Sequence, residues 1–382
     1  MDFDETEEHT ALRESVAKIS RSFGDPYFRQ KIDEDGRTHE LWLALGGAGF
    51  IGVNLPEEFG GGGAGVEELA IVVEETAAAG CPLLLLLVSS AICGEVLKEF
   101  GTRDQQAAWL PAMADGTDKM VFAITEPDAG SNTHRITTTA RRDGDDWVLS
   151  GTKYYISGVD EASHVLVVAR TGGDRTKGRM TLFVVNTDAP GLGRSRISVE
   201  AKAPEKQFFL TFDDVRVGDD RRVGEVDAGM DIVFRGLNPE RITGAAIENG
   251  IGRYALEKAS AYARDRVVWD VPIGSHQGLS HPLAAAAVDV ELARLMTSKA
   301  AWLHDRGRPA GEASNMAKYA AAEAALKALD AAIQTHGGNG FASEYGLAHL
   351  WGMARLLKIA PVSREMVLNY VAGHTLGLPR SY

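Results

Sequence analysis

A chain of 382 residues is longer than one ordinary hydrophobic core organises, so two or three packed units are expected. With 45% apolar and 24% charged residues it is not a disordered chain, and a net charge of −13 excludes a broad nucleic-acid footprint while leaving room for a local basic pocket that takes a phosphorylated ligand. Two cysteines, Cys81 and Cys93, make no disulfide framework and stand in no Cys-x-x-Cys or Cys/His cluster, so a reducing, cytoplasmic setting without a zinc site is the expectation.

The acidic start, Met1 to Glu8, lacks the basic-then-apolar order of a signal peptide. From there to about residue 118 the chain reads as helical. Thr10 to Phe23, Leu41 to Gly46, Val66 to Ala79 and Val88 to Phe100 carry apolar residues at spacings of three and four, and Gly60 to Gly63 interrupts them as a loop. The longest aliphatic run, Leu83 to Val88, is far shorter than the roughly 18 residues of a membrane span and reads as a buried helix. Between about 119 and 228 the texture changes. Trp147 to Ser150, Tyr154 to Ser157, Val165 to Val168, Met180 to Val185 and Phe208 to Phe212 are short β-branched and aromatic runs divided by Gly-containing turns, which predicts a β barrel or sandwich. Helical periodicity returns over 229–382, in Arg253 to Val267, Pro282 to Leu303 and Ala313 to Thr335. Three units follow, at 1–118, 119–228 and 229–382. Helix, then sheet, then helix is not a βαβ alternation, which argues against a Rossmann fold.

Several motifs are misleading. Gly47-Ala-Gly-Phe-Ile-Gly52 fits a Gly-x-Gly-x-x-Gly pattern, but a helical run precedes it and no helix start follows, so a helix end and turn is the better reading. Lys153 follows Gly151-Thr without a phosphate-loop pattern, His134 has no second histidine a helical turn away, and Ser157 lies outside any Gly-x-Ser-x-Gly context.

The segment Phe122-Ala-Ile-Thr-Glu-Pro-Asp-Ala-Gly-Ser-Asn132 is a strand end followed by a turn rich in small residues and hydroxyls. Such a turn either aims N–H groups, Thr125 and Ser131 at one polar ligand, or is simply a well-satisfied surface turn. It resembles the Thr-Glu-Pro-x-Ala-Gly-Ser signature of the acyl-CoA dehydrogenase family. Three further stretches carry the same resemblance in order: Lys153-Tyr-Tyr-Ile-Ser157, Arg266 with Pro272-Ile-Gly-Ser-His-Gln277, and Gln334-Thr-His-Gly-Gly-Asn-Gly-Phe341. The resemblance spans essentially the whole chain and implies an α+β multidomain fold: a helical amino-terminal domain, a middle β domain and a carboxy-terminal four-helix bundle.

By position, the resemblance also implies FAD contacts. Phe122, Ile124, Thr125, Gly130 and Ser131 would line the flavin and phosphates, with Tyr155 and Ser157 standing where the family often has Trp and Thr. Arg266, Trp269, Gln277, Gln334, Gly337 and Gly338 would meet FAD across a subunit boundary, and Ser363 and Glu365 stand where the family's Thr and Gln touch it. A guanidinium suits a pyrophosphate by its planar fork, and glycines allow close backbone approach.

The family reaction needs a carboxylate over the α carbon of an acyl thioester, and burial makes a carboxylate a stronger base. Most members place it near the carboxy terminus, where this chain has Pro361. The isovaleryl and long-chain types supply it from an earlier helix, before an arginine; here that place reads Leu237-Asn-Pro-Glu240-Arg241. The resemblance therefore implies Glu240 as base, with Ser131, Asn238 and Arg241 toward the substrate. Asn238 and Pro239 read locally as an N-cap and first helical residue, which would make Glu240 a first-turn charge; a kink in a continuous helix is the other option. Pro361 also lacks the N–H that helps hold the thioester oxygen in the family.

The expectation is an FAD-dependent acyl-CoA dehydrogenase producing a trans-2-enoyl-CoA, a homotetramer or homodimer passing electrons to an electron-transfer flavoprotein, with no metal. The alternatives are a non-catalytic or partial-site subunit of a hetero-oligomer, and an oxygen-using flavin oxidase on the same fold.

Overall fold

The computed structural model describes residues 5–172 and 179–379; the first four residues of the acidic start lie outside the described residues. Five helices come first: α1 (Glu7–Asp33), α2 (His39–Gly47), α3 (Val66–Ala78), α4 (Glu95–Phe100) and α5 (Arg103–Asp115). Local chemistry sets their ends. The Thr6 hydroxyl accepts the His9 N–H at the start of α1, and Thr102 and Gln105 close a capping box on α5. Gly47 ends α2 and a turn follows, so the Gly-rich stretch there is a helix end. The run Leu83 to Val88 is wholly buried; it turns helical at residue 84 and becomes a π-helical segment over Leu86–Gly94. Sequence periodicity does not distinguish that segment from an α-helix, because every residue from Leu86 to Gly94 is buried and no polar face marks the period.

The middle of the chain forms strands β1 (Met120–Ala123), β2 (Thr139–Asp143), β3 (Asp146–Ser157), β4 (His164–Gly172), β5 (Arg179–Asn186), β6 (Leu192–Ile197), β7 (Gln207–Gly218) and β8 (Arg222–Val223). They make one eight-stranded sheet in the order β6-β7-β3-β2-β4-β5-β8, with β1 parallel to β4. Trp147 of β3 meets Phe183 of β5 at 5.2 Å although β2 and β4 lie between their strands, so the sheet curls over its own core.

A carboxy-terminal helical domain follows: α6 (Gly229–Asp265), a two-stranded ribbon of β9 (Val267–Val268) and β10 (Val271–Pro272), then α7 (Gln277–Asp305), α8 (Gly311–His336), α9 (Leu350–Leu357) and α10 (Arg364–Tyr370). Helix α6 is the axis of the molecule. From Pro239 to Gly252 every residue on it is buried, against α3 on one side and α7 and α8 on the other. This corrects the reading of Asn238 as an N-cap. The helix begins at Gly229 and runs through Pro239, because Ile232, Val233 and Gly236 pack into the core beneath β5 and α4. Their burial offsets the roughly 3 kcal/mol that an interior proline costs.

Candidate active site

The loop after β1 is built around a buried ion pair. Lys153, wholly enclosed on β3, donates to the Ile124 carbonyl at 2.9 Å and to Glu126 Oε1 at 3.0 Å. The same carboxylate accepts the N–H groups of Thr137 (2.5 Å) and Thr138 (2.9 Å) and the Thr137 hydroxyl (2.8 Å). These bonds hold the Glu126 carboxyl below its usual range against the opposing effect of burial, which in turn brings Lys153 down to about 8. The frame fixes the turn while leaving its rim open: Phe122, Ile124 and Thr125 are half-buried, and Gly130 and Ser131 are exposed. Across the loop, Tyr154 donates its N–H to the Thr125 carbonyl at 2.8 Å. A β-bulge follows at once, where Tyr155 takes φ 56° and turns a half-exposed ring outward beside Tyr154, 4.3 Å between centroids. Ser157 closes the strand and donates to Gln207 Oε1 at 3.0 Å. The structure thus brings the Thr125 loop, Tyr155 and Ser157 to neighbouring stretches of β1 and β3.

Glu240 lies one helical turn before Gly244 on α6. A methyl group added at Gly244 would stand 3.4 Å from Leu87 of the π segment and 4.0 Å from the Pro361 ring. The position where the resemblance looks for a carboxylate is therefore packed on the helix that carries Glu240. The Glu240 side chain is 7% exposed, and its Oε2 has no hydrogen-bond partner. Burial pushes its carboxyl up to about 8, although Arg241 and Lys318 both pull it down. Arg241 is buried beside it and donates to Asn238 Oδ1 at 3.1 Å, which fixes the Asn238 amide from one turn away.

A second group assembles on the bundle. A cleft of about 410 Å³ is lined by Arg266, Gln334, Gly337 and Gly338, together with Tyr262 and His336. Tyr262 stacks on His336 at 4.2 Å, and Asn339 donates to the hydroxyls of Tyr262 and Tyr345, both at 3.1 Å, so one wall is rigid. Gly337 has φ 58°, and neither it nor Gly338 has an atom within 4 Å of where a β carbon would stand. Trp269 and Gln277 are exposed beyond the lining residues, Trp269 at the tip of the β9–β10 ribbon and Gln277 at the start of α7. Ser363 caps α10 by accepting the Met366 N–H at 3.3 Å, which uses one acceptor position of its hydroxyl, and Glu365 sits in the first turn of that helix.

The comparisons with known proteins bear on all three domains. Residues 6–117, 121–215 and 227–376 match the amino-terminal, middle and carboxy-terminal domains of acyl-CoA dehydrogenase. The chain belongs to the acyl-CoA dehydrogenase family. It is 56% identical to acyl-CoA dehydrogenase FadE12 of Mycobacterium tuberculosis over 383 aligned residues, covering 100% of this chain and 99% of that one. Butyryl-CoA dehydrogenase of Megasphaera elsdenii superposes with a TM-score of 0.92 at 27% identity, over 98% of this chain and 100% of that one. An FAD complex of PigA superposes with a TM-score of 0.93 at 25% identity, over 99% and 100%. The acyl-CoA dehydrogenase fold of this chain, helical, β and helical in turn, is the one read from its texture, and the protein is an oxidoreductase of an FAD-dependent family. Among the described residues of this acyl-CoA dehydrogenase no helix is long and apolar enough to cross a membrane, and no group of three His, Cys, Asp or Glu could hold a metal ion.

Two buried charges escaped the sequence reading. Glu248 on α6 and Lys318 on α8 are 1% and 2% exposed. Each stands in an alanine-rich periodic stretch, where a lone charge reads as a solvent-facing residue; the only signal was the unusual apolarity of its neighbours.

Proposed function

We propose that this acyl-CoA dehydrogenase oxidises an acyl-CoA thioester to the trans-2-enoyl-CoA, with Glu240 taking the α proton. The observation that carries the reading is a buried carboxyl with an unbonded oxygen, raised to about 8, on the turn of α6 that meets Pro361. A carboxylate with that proton affinity is a stronger base than an ordinary glutamate, and its low-dielectric surroundings suit transfer from a weakly acidic α carbon. Bound FAD supplies the hydride acceptor, at its N5 position.

The chain's residues fit that cofactor in two half-sites. Phe122, Ile124, Thr125, Gly130, Ser131, Tyr155 and Ser157 offer a flat ring, hydroxyls and an open glycine turn on the β domain. Arg266 and the Gln334–Gly338 turn offer a cation and close backbone approach on the bundle, with Trp269 and Gln277 at its edge and Ser363 and Glu365 at α10. Toward the substrate we assign Asn238 and Arg241, which stand beside the base on α6, and Ser131 of the β-domain loop. Two half-sites on separate domains accord with a homodimer or homotetramer in which each FAD is shared. The exposed apolar side chains Val288, Leu292 and Leu295 on α7, and Phe341 by the cleft, give such an assembly a surface. Electron-transfer flavoprotein is the expected acceptor.

The test is anaerobic titration of the purified yellow protein with a panel of acyl-CoAs, following the flavin spectrum. Wild type should bleach with one or more of them. Glu240→Gln should keep its FAD and lose bleaching by at least about 10³-fold. Normal bleaching by that variant would remove Glu240 from the role. A second reading, motivated by the missing N–H of Pro361, is a partial-site subunit of a hetero-oligomer; a colourless, inert preparation of the chain alone would favour it.

A further inference from the structure

The 358–362 loop, which carries Pro361 over α6, is tied down by one side chain. Lys318 of α8 donates from its ammonium to the Lys358 carbonyl at 3.2 Å and to the Val362 carbonyl at 2.5 Å, one on each side of the proline. The ammonium is thus held by backbone and not by a carboxylate. Two buried carboxyls of α6 nonetheless face it: Glu240, and Glu248 two turns further on, both of whose oxygens lack a hydrogen-bond partner.

The other ionisable groups around this point are few. Arg241 stands beside Glu240 on α6, Cys93 faces Glu240 from the π segment, and Tyr370 of α10 faces Arg241. Glu365 of α10 faces Lys318, and Lys358 faces Glu248 from the loop while bonding Glu323 at 2.8 Å. Lys318 is the cation that both α6 carboxyls share. In a dry site one ammonium does not sustain two carboxylates.

We propose that Lys318 is a positioning residue for the reaction: pinned by the backbone on both sides of Pro361, it holds that loop against α6 and adds to the positive charge of Arg241 against which Glu240 ionises. Glu248 is the neutral partner. Burial drives it well above the ordinary carboxylate range, and neither of its oxygens has a hydrogen-bond partner that would hold it as an anion. This rests on Glu240 being the base, and the experiment separates the two claims.

The measurement is kcat/KM and the anaerobic flavin-bleaching rate against pH, for wild type, Lys318→Met, Lys318→Gln, Lys318→Arg, Glu248→Gln and Glu240→Gln. Gln at 318 keeps a donor for the two carbonyls without the charge, so it tests the field even if the Met variant fails to fold. Loss of the charge should move the ascending limb up by about one pH unit or more, a rate loss near tenfold at low pH that recovers as pH rises. Arg should return the limb toward wild type. Glu248→Gln should leave the limb in place. An unmoved limb in Lys318→Gln, with slower turnover or without it, reduces Lys318 to a loop tether and overturns the proposal. A limb displaced downward by about one unit in Glu248→Gln shows that Glu248 competes as an anion, which overturns its neutral assignment. Unimpaired bleaching by Glu240→Gln would instead sink the reading beneath, whatever the lysine variants do.

Discussion

Glu240 is held in a form that favours the folded state only while it is neutral. Its folded value of about 8 lies above the ordinary 4.5, so the native chain binds the proton more tightly than the unfolded one. The resulting stability is fully present below about 4.5 and is lost as pH rises through about 8. Glu205 behaves the same way with a folded value of about 7; it is buried where it accepts the Leu84 N–H at 2.9 Å, at the start of the helical segment that reaches Gly244. His349 works in the opposite sense. Burial lowers it from 6.5 to about 4, so stability is present above 6.5 and is lost as pH falls through about 4. Replacing Glu240 by Gln should therefore flatten the decline of Tm between about pH 4.5 and 8, with the variant's gain on wild type building across that window and levelling off above it. Scanning calorimetry across that range checks it; parallel curves would mean that Glu240 is already ionised in the folded protein. The shifts of Glu205 and His349 were not legible in the sequence, and that of Glu240 was implied only by the family resemblance. A glutamate in Ala-Ala-Ile-Glu248 or a lysine in Met-Ala-Lys318 reads as a solvated charge until tertiary packing encloses it.

At the level of elements, the long aliphatic and periodic runs were readable and the exceptions share a cause. The turns of α6 before Pro239 were not legible locally, because Gly236 and Pro239 break local propensity and only contacts with distant strands and helices restore the helix. Strands β2, β6 and β8 carry charged or glycine-rich sequence and are held as strands by their neighbours in the sheet. The β9–β10 ribbon is the sharpest case. Its turn is Trp269-Asp270 with φ of 56° and 65°, two successive left-handed residues where a two-residue hairpin ordinarily takes Asn-Gly. No local preference of tryptophan explains that geometry, and the ring it presents is 85% exposed. A bulky aromatic kept at such a position fits a role outside its own chain, against FAD bound with a second copy. Trp269→Ala should then leave the melting of the apoprotein unchanged while lowering the FAD-to-polypeptide ratio that survives gel filtration. Equal retention in the two proteins would remove Trp269 from the cofactor site.

Across the whole molecule, the order of helical, β and helical units was legible because each has its own periodicity, whereas the joints between them are polar and came from residues far apart. Asp305 at the end of α7 accepts the N–H groups of Val66 and Glu67 at 2.9 and 2.8 Å and so caps α3 from 239 and 238 residues away. The largest joint is the adjacent pair Glu74 and Glu75 on α3. Arg253 of α6 donates to Glu74 Oε1 at 2.6 Å and to Glu75 Oε1 at 2.5 Å; Arg294 of α7 reaches Glu74 at 2.8 Å, and Arg13 of α1 bonds Glu75 as well. Four helices thus converge on two carboxylates whose side chains are 9% and 2% exposed. Glu75→Gln leaves Arg13 and Arg253 short of a counter-charge where solvent reaches them poorly, which costs about 2–3 kcal/mol after allowance for their partial exposure. Equilibrium urea unfolding of the holoenzyme should show that loss as a lower midpoint with an unchanged slope. Glu58→Gln, which breaks the exposed pair with Arg103, should leave the midpoint where it is. Equal effects of the two substitutions would mean that the α3 node is solvated in solution, and that the helices around α6 are held together by their apolar faces alone.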